Sequence, residues 1–349
     1  MSDVIKVLIV DDSSLIRAVL RKILEGDSGI CVIGEAGNGR EAVDLVQKLK
    51  PAVVIMDIKM PVMDGFGATE QIMAYCPTPI LILSSIVDKE GIYTTFNAIA
   101  AGAVDVMEKP SALPNEQWTE MGGALIRRVK LVAKAKVITH LKGKAKDFPR
   151  RKETAHFLTH DNYKIVAIGA STGGPSVVKQ ILNSLPGDYN AGILIVQHMT
   201  EGFTKNFVEW LGSSCKMKVK IAQEGEKIEK GQALVAPDGF HTVINNFQRI
   251  ELMNGEKVNG VKPSVDMLFK SVAGVYRQNA VGVLLTGMGV DGAEGLGYMK
   301  SSGGATIAQS EESCVVFGMP KAAIERGAAD KILSLEDIIY TLKNINKNH

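Results

Sequence analysis

The residue best placed to do chemistry is Ser171, in the pentapeptide Gly169-Ala170-Ser171-Thr172-Gly173. The pentapeptide fits the pattern Gly-x-Ser-x-Gly, in which a tight turn from a strand to a helix exposes the serine hydroxyl at the top of a sheet. A serine hydroxyl is a weak nucleophile and needs a base beside it. The pattern therefore predicts acyl-transfer chemistry and requires a histidine nearby.

The best candidate for that base is His198, just after the predicted strand Ile193–Val196. Of the six histidines, three lie in the predicted linker region and His349 is the last residue of the sequence, which leaves His198 and His241 as candidates beside Ser171. His241 follows a predicted turn onto a hairpin strand, so a structural or substrate-proximal role suits it better. Neighbouring parallel strands end at one edge of a sheet, where ligand sites form. We therefore expect His198 beside Ser171.

The third candidate is Asp291. It ends a glycine-rich loop that follows the predicted strand Val281–Leu285, and it begins the predicted helix Asp291–Lys300. Taken alone, an aspartate at the start of a helix is typical of an N-cap. Together with Ser171 and His198, it is better interpreted as the carboxylate that fixes the histidine tautomer and stabilises the imidazolium. The chain order differs from that of the α/β-hydrolases, chymotrypsin and subtilisin, which indicates a separate hydrolase fold.

A glycine-rich turn between a strand and a helix is also typical of a dinucleotide-binding fold, where it holds a phosphate. Such a fold requires an Asp or Glu on the ribose hydroxyls about 20 residues further on. The next predicted strand ends instead in Gln197-His198-Met199. The hydrolase is therefore favoured over a nucleotide-dependent oxidoreductase.

The first half of the chain places three carboxylates and two further polar groups after predicted strands. These residues are Asp11, Asp12, Asp57, Ser84 and Lys109. Close anions repel one another unless a pKa rises or a cation binds, and oxygen ligands suit Mg²⁺. An acceptor carboxylate, Mg²⁺, a hydroxyl and a lysine together predict phosphoryl transfer.

Two alternating series of strands and helices position these residues. In the first half the predicted strands are Lys6–Val10, Val32–Glu35, Val53–Met56, Ile80–Leu83 and Val104–Met107, and the predicted helices are Leu15–Leu24, Glu41–Leu49, Gly65–Ala74 and Gly91–Ala101. In the second half the strands are Lys164–Ile168, Ile193–Val196, Val281–Leu285 and Ala305–Ala308, and the helices are Pro175–Leu185, Phe203–Leu211, Ser264–Tyr276, Asp291–Lys300 and Leu335–Ile345. Glycine and Asp-Gly punctuation in 231–253 predicts a hairpin excursion.

The predicted fold class is α/β, with two doubly wound, mostly parallel-sheet domains. The first, residues 1–126, is flavodoxin-like. Residues 127–160 form a basic linker, and residues 161–349 form a three-layer α/β hydrolase domain. Between Arg127 and Lys152 there are eleven lysines or arginines and one acidic residue. A solvated linker is the preferred interpretation; nucleic-acid contact is the alternative, but no aromatic residues are interleaved for base stacking.

The composition favours a cytoplasmic protein that is not itself a membrane protein. Hydrophobic residues make up 46% of the chain, which is outside the range of disordered proteins, and no apolar run is long enough to span a bilayer. The four cysteines form no Cys-x-x-Cys pair, so reduced core thiols are expected rather than a zinc site or disulfides.

The first 125 residues resemble the receiver domain of two-component response regulators. The matching residues are Asp11-Asp12-Ser13, Asp57 within Met56-Asp57-Ile58-Lys59-Met60-Pro61, Asp64-Gly65, Ser84 and Lys109-Pro110. The resemblance implies that Asp57 accepts a phosphoryl group from a histidine kinase and that Ser84 and Lys109 sense it. It also implies Mg²⁺ ligation by Asp12, Asp57 and the backbone carbonyl of Lys59, with Asp11 assisting.

The rest of the chain resembles the chemotaxis protein-glutamate methylesterase family, CheB. The matching segments are 169–175, 197–199, 236–238 and 285–293. The resemblance implies hydrolysis of γ-glutamyl methyl esters on methyl-accepting chemoreceptors, with release of methanol, and deamidation of receptor glutamines. No cofactor is expected in the esterase site and no nucleic-acid partner is expected. The backbone N–H groups of Thr172 and Met288 are the expected donors to the oxyanion.

Overall fold

The computed structural model describes residues 4–84, 89–109, 117–135, 137 and 162–345. The chain divides into two compact units, residues 1–146 and 147–349. Most of the predicted linker, from residue 138 to its end at 160, lies outside the described residues.

The first unit is a five-stranded parallel sheet with the order β2-β1-β3-β4-β5. Its strands are β1 (Ile5–Val10), β2 (Ile30–Ala36), β3 (Val53–Asp57), β4 (Ile80–Ser84) and β5 (Asp105–Glu108). Its helices are α1 (Ser14–Leu24), α2 (Gly39–Leu49), α3 (Gly65–Tyr75), α4 (Lys89–Ala100) and α5 (Gln117–Val132). The predicted flavodoxin-like fold is confirmed. Because α5 continues to Val132, the first residues of the predicted linker are helical.

Helix starts in this unit are fixed by polar side chains that cap the first turn. Ser13 accepts a hydrogen bond from the backbone N–H of Ile16, and Asp64 accepts one from Gly67. Each cap satisfies a backbone donor that has no partner within its helix. Since Asp64 follows β3 by seven residues, its cap also sets where the loop after Asp57 returns to a helix.

The second unit is a seven-stranded parallel sheet with the order β14-β13-β12-β6-β7-β9-β8, and a separate hairpin pairs β10 with β11. The strands are β6 (Ile165–Ala170), β7 (Gly192–Gln197), β8 (Lys218–Ile221), β9 (Gln232–Val235), β10 (His241–Ile244), β11 (Ile250–Met253), β12 (Ala280–Leu284), β13 (Ala305–Gln309) and β14 (Lys331–Leu333). The helices are α6 (Gly174–Ser184), α7 (Thr204–Gly212), α8 (Val265–Tyr276), α9 (Ala293–Ser301), α10 (Met319–Glu325) and α11 (Leu335–Lys343).

The seven-stranded sheet is covered on both faces, which gives the three layers that the sequence predicts. Helices α8, α9 and α10 pack together, while α6 contacts α7 and α11. Ile165 and Ala167 of the central strand β6 belong to the core beneath α8 and α9. Their neighbours Val166 and Ile168 point to the opposite face and are fully buried too. Because both faces of this parallel sheet are buried, its strands are continuously apolar and lack the polar-apolar alternation of a half-exposed sheet.

The predicted hairpin within 231–253 is confirmed by the antiparallel pair of β10 and β11. The first strand of this segment, β9, lies outside the hairpin and joins the main sheet in parallel between β7 and β8. The two short runs are alike in length and apolar content, so the local pattern does not separate them. Strands β8 and β14 and helix α10 were not predicted from the sequence.

The expectation of core thiols is wrong for three of the four cysteines. All four are free, but Cys31 is exposed, Cys76 and Cys215 are half-buried, and only Cys314 is buried. Among the described helices, none combines the length and the apolarity that crossing a bilayer requires.

Candidate active site

The three residues that the sequence predicts for acyl transfer lie at one edge of the seven-stranded sheet. Ser171 follows β6, His198 follows β7 and Asp291 lies in the loop after β12. β6 is hydrogen-bonded to both other strands. The strands that come next in the chain after β6, from β7 to β9, lie on one side of it, and the later strands, from β12 to β14, lie on the other side. The strand order therefore reverses beside Ser171, where α/β sheets form their ligand-binding crevice.

The turn that carries Ser171 is closed by backbone hydrogen bonds on both sides. The Ser171 N–H donates to Thr286 O at 3.0 Å, and Gly174 N–H donates to Ser171 O at 2.8 Å. Gly173 has φ of 78°, and a Cβ there would lie 2.6 Å from Val315 Cβ. A side chain at this position would be both strained and obstructed. The turn thus requires its glycine and holds Ser171 at the start of α6.

His198 is held against the serine turn by its backbone and against Asp291 by its ring. Its N–H donates to Ala170 O at 2.9 Å, and its Nε2 lies 3.0 Å from Asp291 Oδ2. The carboxylate accepts, so the proton of a neutral imidazole is on Nε2 and Nδ1 is left as the acceptor. Within the described residues Ser171 Oγ makes no hydrogen bond to the imidazole; such bonds commonly tighten only when substrate binds.

The sequence predicts that Asp291 begins a helix, and this prediction is wrong. Helix α9 begins at Ala293, and Gly292 is its N-cap. The Asp291 carboxylate instead lies at the N-terminus of α8. Oδ2 accepts from Val265 N–H at 2.6 Å, and Oδ1 accepts from Ser264 Oγ at 2.7 Å and from Asp266 N–H at 3.3 Å. A helix N-terminus offers unpaired N–H groups and a positive dipole end. The carboxylate is therefore fixed in position while one lone pair remains for His198.

The ionised form of Asp291 is the stable one. Burial alone would raise its pKa, since Asp291 is 3% exposed. The hydrogen bond and charge of His198, followed by the hydrogen bonds from Ser264 and Val265, outweigh burial and hold the pKa of Asp291 below its ordinary value. Asp291 therefore offers a permanent negative charge to an imidazolium on His198.

In the first unit the predicted carboxylates also converge. Asp11, Asp12 and Asp57 each present an oxygen within 4.8 Å of the others. Asp11 and Asp57 are buried and Asp12 is exposed, so the cluster opens to solvent on one side. Lys109 Nζ lies 2.8 Å from Asp11 Oδ2 and 2.9 Å from Asp57 Oδ2. The ion pair to Asp11 lacks hydrogen-bond geometry, so Asp11 Oδ2 is a buried acceptor without a hydrogen bond among the described residues.

These carboxylates fit a hard divalent cation. Burial raises the pKa of Asp57 above its ordinary value; the hydrogen bond and charge of Lys109 oppose this rise, and the negative charge of Asp11 adds to it. A metal ion would reduce that repulsion and would give Asp11 Oδ2 a second cation beside Lys109. Ser84 ends β4 beside β3, and its Oγ accepts a hydrogen bond from Thr95 Oγ1 at 2.9 Å.

Residues 166–342 match the CheB methylesterase family, and residues 7–116 match the response regulator receiver domain. The chain belongs to the CheB methylesterase family. It is 45% identical over 341 residues to the protein-glutamate methylesterase/protein-glutamine glutaminase 1 of Syntrophus aciditrophicus, covering 97% of both chains. It is 42% identical to the corresponding protein of Sulfurimonas denitrificans, covering 96% of both. The crystal structure of the Thermotoga maritima CheB methylesterase catalytic domain matches with 41% identity and a TM-score of 0.51, covering 52% of this chain and 97% of that one.

The CheB site contains a residue that the sequence did not single out, Gln197. Its Nε2 donates to Ser171 O and to His198 O, both at 2.8 Å. The side chain is 4% exposed, so it bridges the serine turn and the histidine from within the core. A polar residue between a buried strand and the histidine was the available signal, but its partners depend on the neighbouring strand.

Gln197→Met should destabilise the catalytic unit by about 2 kcal/mol, because it removes two donors from buried carbonyls. Gln197→Glu should cost more, since a carboxylate would face the same two carbonyl oxygens. Urea unfolding followed by circular dichroism measures both. Gln180→Met, on the exposed face of α6, is the matched control and should change little. Equal stability of all three variants would contradict the bridging role.

A second missed group is the pair Asn259 and Asp266. Asn259 Nδ2 donates to Asp266 Oδ2 at 2.7 Å and to Asp291 Oδ1 at 3.2 Å. Asp266 Oδ1 also accepts from Gly295 N–H at 2.7 Å. Burial raises the pKa of Asp266, and the charge of Asp291 raises it further. The amide of Asn259 thus separates two carboxyl groups that would otherwise repel.

The loop after β12 brings Met288 to the mouth of the site. Gly287 lies against the nucleophile, because a Cβ there would be 2.7 Å from Ser171 Cβ. Thr286 Oγ1 donates to Thr172 O at 3.0 Å, which joins this loop to the turn after Ser171. Within the described residues the Met288 N–H has no acceptor. Two backbone segments that carry the predicted oxyanion donors therefore flank Ser171.

Proposed function

We propose that this CheB family member hydrolyses γ-glutamyl methyl esters on chemoreceptors, deamidates receptor glutamines, and is activated by phosphorylation of its receiver domain. The placement of Ser171, His198 and Asp291 at one switch point of the sheet carries the proposal. The names of the relatives, protein-glutamate methylesterase and protein-glutamine glutaminase, support the substrate class.

Ester hydrolysis proceeds by acyl transfer. Ser171 Oγ attacks the ester carbonyl while Nδ1 of His198 takes its proton, and the oxyanion accepts hydrogen bonds from the N–H groups of Thr172 and Met288. The tetrahedral intermediate expels methoxide, which leaves as methanol with the proton from His198. Water, deprotonated by the same nitrogen, then attacks the acyl-enzyme, and His198 returns that proton to Ser171 Oγ as the bond to the acyl carbon breaks, which releases the glutamate carboxylate and free Ser171.

The charge on Asp291 acts at each proton transfer. When Nδ1 of His198 takes a proton, the ring becomes cationic, and its Nε2–H still donates to Asp291 Oδ2. The carboxylate then stabilises the imidazolium without accepting the proton. Deamidation follows the same path, with ammonia as the leaving group. One site therefore serves both reactions.

The test is methanol release from methylated receptor membranes, with mass spectrometry of the receptor for the ester and amide products. Native protein should release methanol and convert glutamine to glutamate, and Ser171→Ala should do neither. Release at the native rate by the serine variant would show that another group does the chemistry. No release by the native protein would point to a different ester.

The receiver half supplies the control. We propose that Asp57 accepts the phosphoryl group from a histidine kinase and that Ser84 and Lys109 respond to it. Mg²⁺ would be held by Asp12, Asp57 and the backbone carbonyl of Lys59, with Asp11 assisting. The chemistry that Mg²⁺ supplies when bound is neutralisation of the phosphoryl oxygens.

Asp57→Asn should retain basal methylesterase activity but lose its activation by a small phosphodonor with Mg²⁺. The native rate should rise by at least about tenfold, within the usual range of coupling between two sites. Asp44→Asn, an exposed aspartate on α2, is the matched control and should be activated normally. Activation of the Asp57 variant to the native level would contradict the assignment of the phosphorylation site.

A further inference from the structure

His241, at the start of β10, is almost completely buried and lies outside the proposed triad. Its exposed fraction is 1%, and both ring nitrogens are hydrogen-bonded. Nε2 lies 2.8 Å from the carbonyl oxygen of Glu256, and Nδ1 lies 3.1 Å from the backbone nitrogen of Ser264. A carbonyl only accepts and an N–H only donates, so the ring is neutral with its proton on Nε2.

The contact at Nδ1 leads directly to the catalytic carboxylate. Ser264 is the N-cap of α8, and its hydroxyl donates to Asp291 Oδ1 at 2.7 Å. The next backbone N–H, of Val265, donates to Asp291 Oδ2 at 2.6 Å. His241 Nδ1 therefore accepts the backbone N–H of Ser264, the same residue whose hydroxyl donates to Asp291. The chain of contacts ends at His198 Nε2, 3.0 Å from the same carboxylate.

We propose that His241 is a positioning residue for Asp291, an inference that rests on the proposed function of the triad. Helix N-termini fray unless their first residues are held, and the cap of α8 is the support of the carboxylate. His241 fixes that cap from the β10–β11 hairpin through Nδ1. The hairpin therefore sets the geometry of the acid of the triad, although no residue of it belongs to the triad.

A pair of substitutions separates this role from simple packing. Asn carries its amide oxygen two bonds beyond Cβ, as His carries Nδ1, and therefore keeps the acceptor for Ser264. Gln carries its amide nitrogen three bonds beyond Cβ, as His carries Nε2, and therefore keeps only the donor to Glu256. We expect His241→Asn to keep kcat close to the native value. We expect His241→Gln to lower kcat about 10- to 100-fold at unchanged KM, as a displaced catalytic group does.

A second readout does not depend on activity. The proton between His198 Nε2 and Asp291 should give a low-field NMR resonance, assigned by its loss in His198→Gln. This resonance should be kept in His241→Asn and shifted or lost in His241→Gln. Equal behaviour of the two variants, in both kcat and the resonance, would overturn the inference. If native protein releases no methanol, the proposed function fails, while the resonance still decides whether His241 positions Asp291.

Should His241→Gln fail to fold, Ser264 provides the same test one contact further along. Ser264→Ala removes the hydroxyl that reaches Asp291, whereas Ser264→Thr keeps a hydroxyl at the same atom. We expect the alanine variant to lose kcat at unchanged KM and the threonine variant to retain it. Unchanged kcat and an unchanged resonance in Ser264→Ala would overturn the inference, because Ser264 carries the contact from His241 to the carboxylate.

Discussion

We expect Ser171→Ala to lower methanol release from methylated receptor by at least about 10⁴-fold, the scale on which serine hydrolases lose activity without their nucleophile. The substitution removes the only atom that would form the acyl-enzyme and leaves the oxyanion donors and His198 in place. The fold should not change. Ser171 Oγ makes no hydrogen bond among the described residues, and alanine keeps the Cβ that packs against Gly287.

Two comparisons isolate that loss. Ser301→Ala, on the exposed end of α9, should release methanol at the native rate, which controls for the handling of serine variants. Thermal unfolding of the Ser171 variant should match that of native protein. A residual rate above about one tenth of the native rate would contradict a serine nucleophile, since an acyl-enzyme mechanism leaves no alternative attacking group of comparable reactivity.

The positions of the three proposed catalytic residues were predictable because each follows an apolar run at the end of a strand. A parallel sheet brings such ends to one edge whatever the sequence between them. The same rule placed Asp11, Asp12 and Asp57 together in the receiver domain. Here each functional residue is recognisable from its neighbours in the sequence, and the fold class determines which of these residues lie together.

The support of Asp291 was not predictable in the same way. An aspartate followed by Gly292 and Ala293 is typical of the start of a helix, and nothing in the neighbouring residues indicates another role. The structure uses the carboxylate to receive the N-terminus of α8, whose first residues, Ser264 and Val265, lie more than twenty positions earlier. A contact of this range depends on how α8 packs beside β12, which no local pattern encodes.

The sequence also does not predict which ring nitrogen of His198 contacts Asp291. Either ring nitrogen is able to face a carboxylate, and the place of the backbone together with the side-chain rotamer decides which one does. The His198 N–H donates to Ala170 O and Gln197 Nε2 donates to the His198 carbonyl, so the backbone of His198 is held beside the serine turn. Nε2 then reaches Asp291, and Nδ1 becomes the proposed base.

Asp291→Asn should lower kcat about 10³- to 10⁴-fold, close to the effect of Ser171→Ala. Each carboxylate oxygen accepts from a backbone N–H of α8, so an amide nitrogen would meet a fixed donor in either orientation. If the amide nitrogen faces His198, the imidazole must move its proton to Nδ1, and the acceptor for Ser171 is lost. If it faces Ser264, the tautomer is kept but the charge that stabilises the imidazolium is gone. Steady-state methanol release over a pH series measures the loss.

Stability separates this mechanism from a merely structural one. Because the pKa of Asp291 is lowered in the folded protein, its carboxylate contributes stability above the ordinary pKa of about 4 and loses that contribution as the pH falls further. The free energy of unfolding of Asp291→Asn should therefore fall furthest below the native value at neutral pH, with the gap narrowing under acidic conditions. Asp188→Asn, an exposed control, should show neither effect. A variant with native kcat and the same pH-dependent loss of stability would make Asp291 a structural anchor of α8 and would leave His198 without its acid partner.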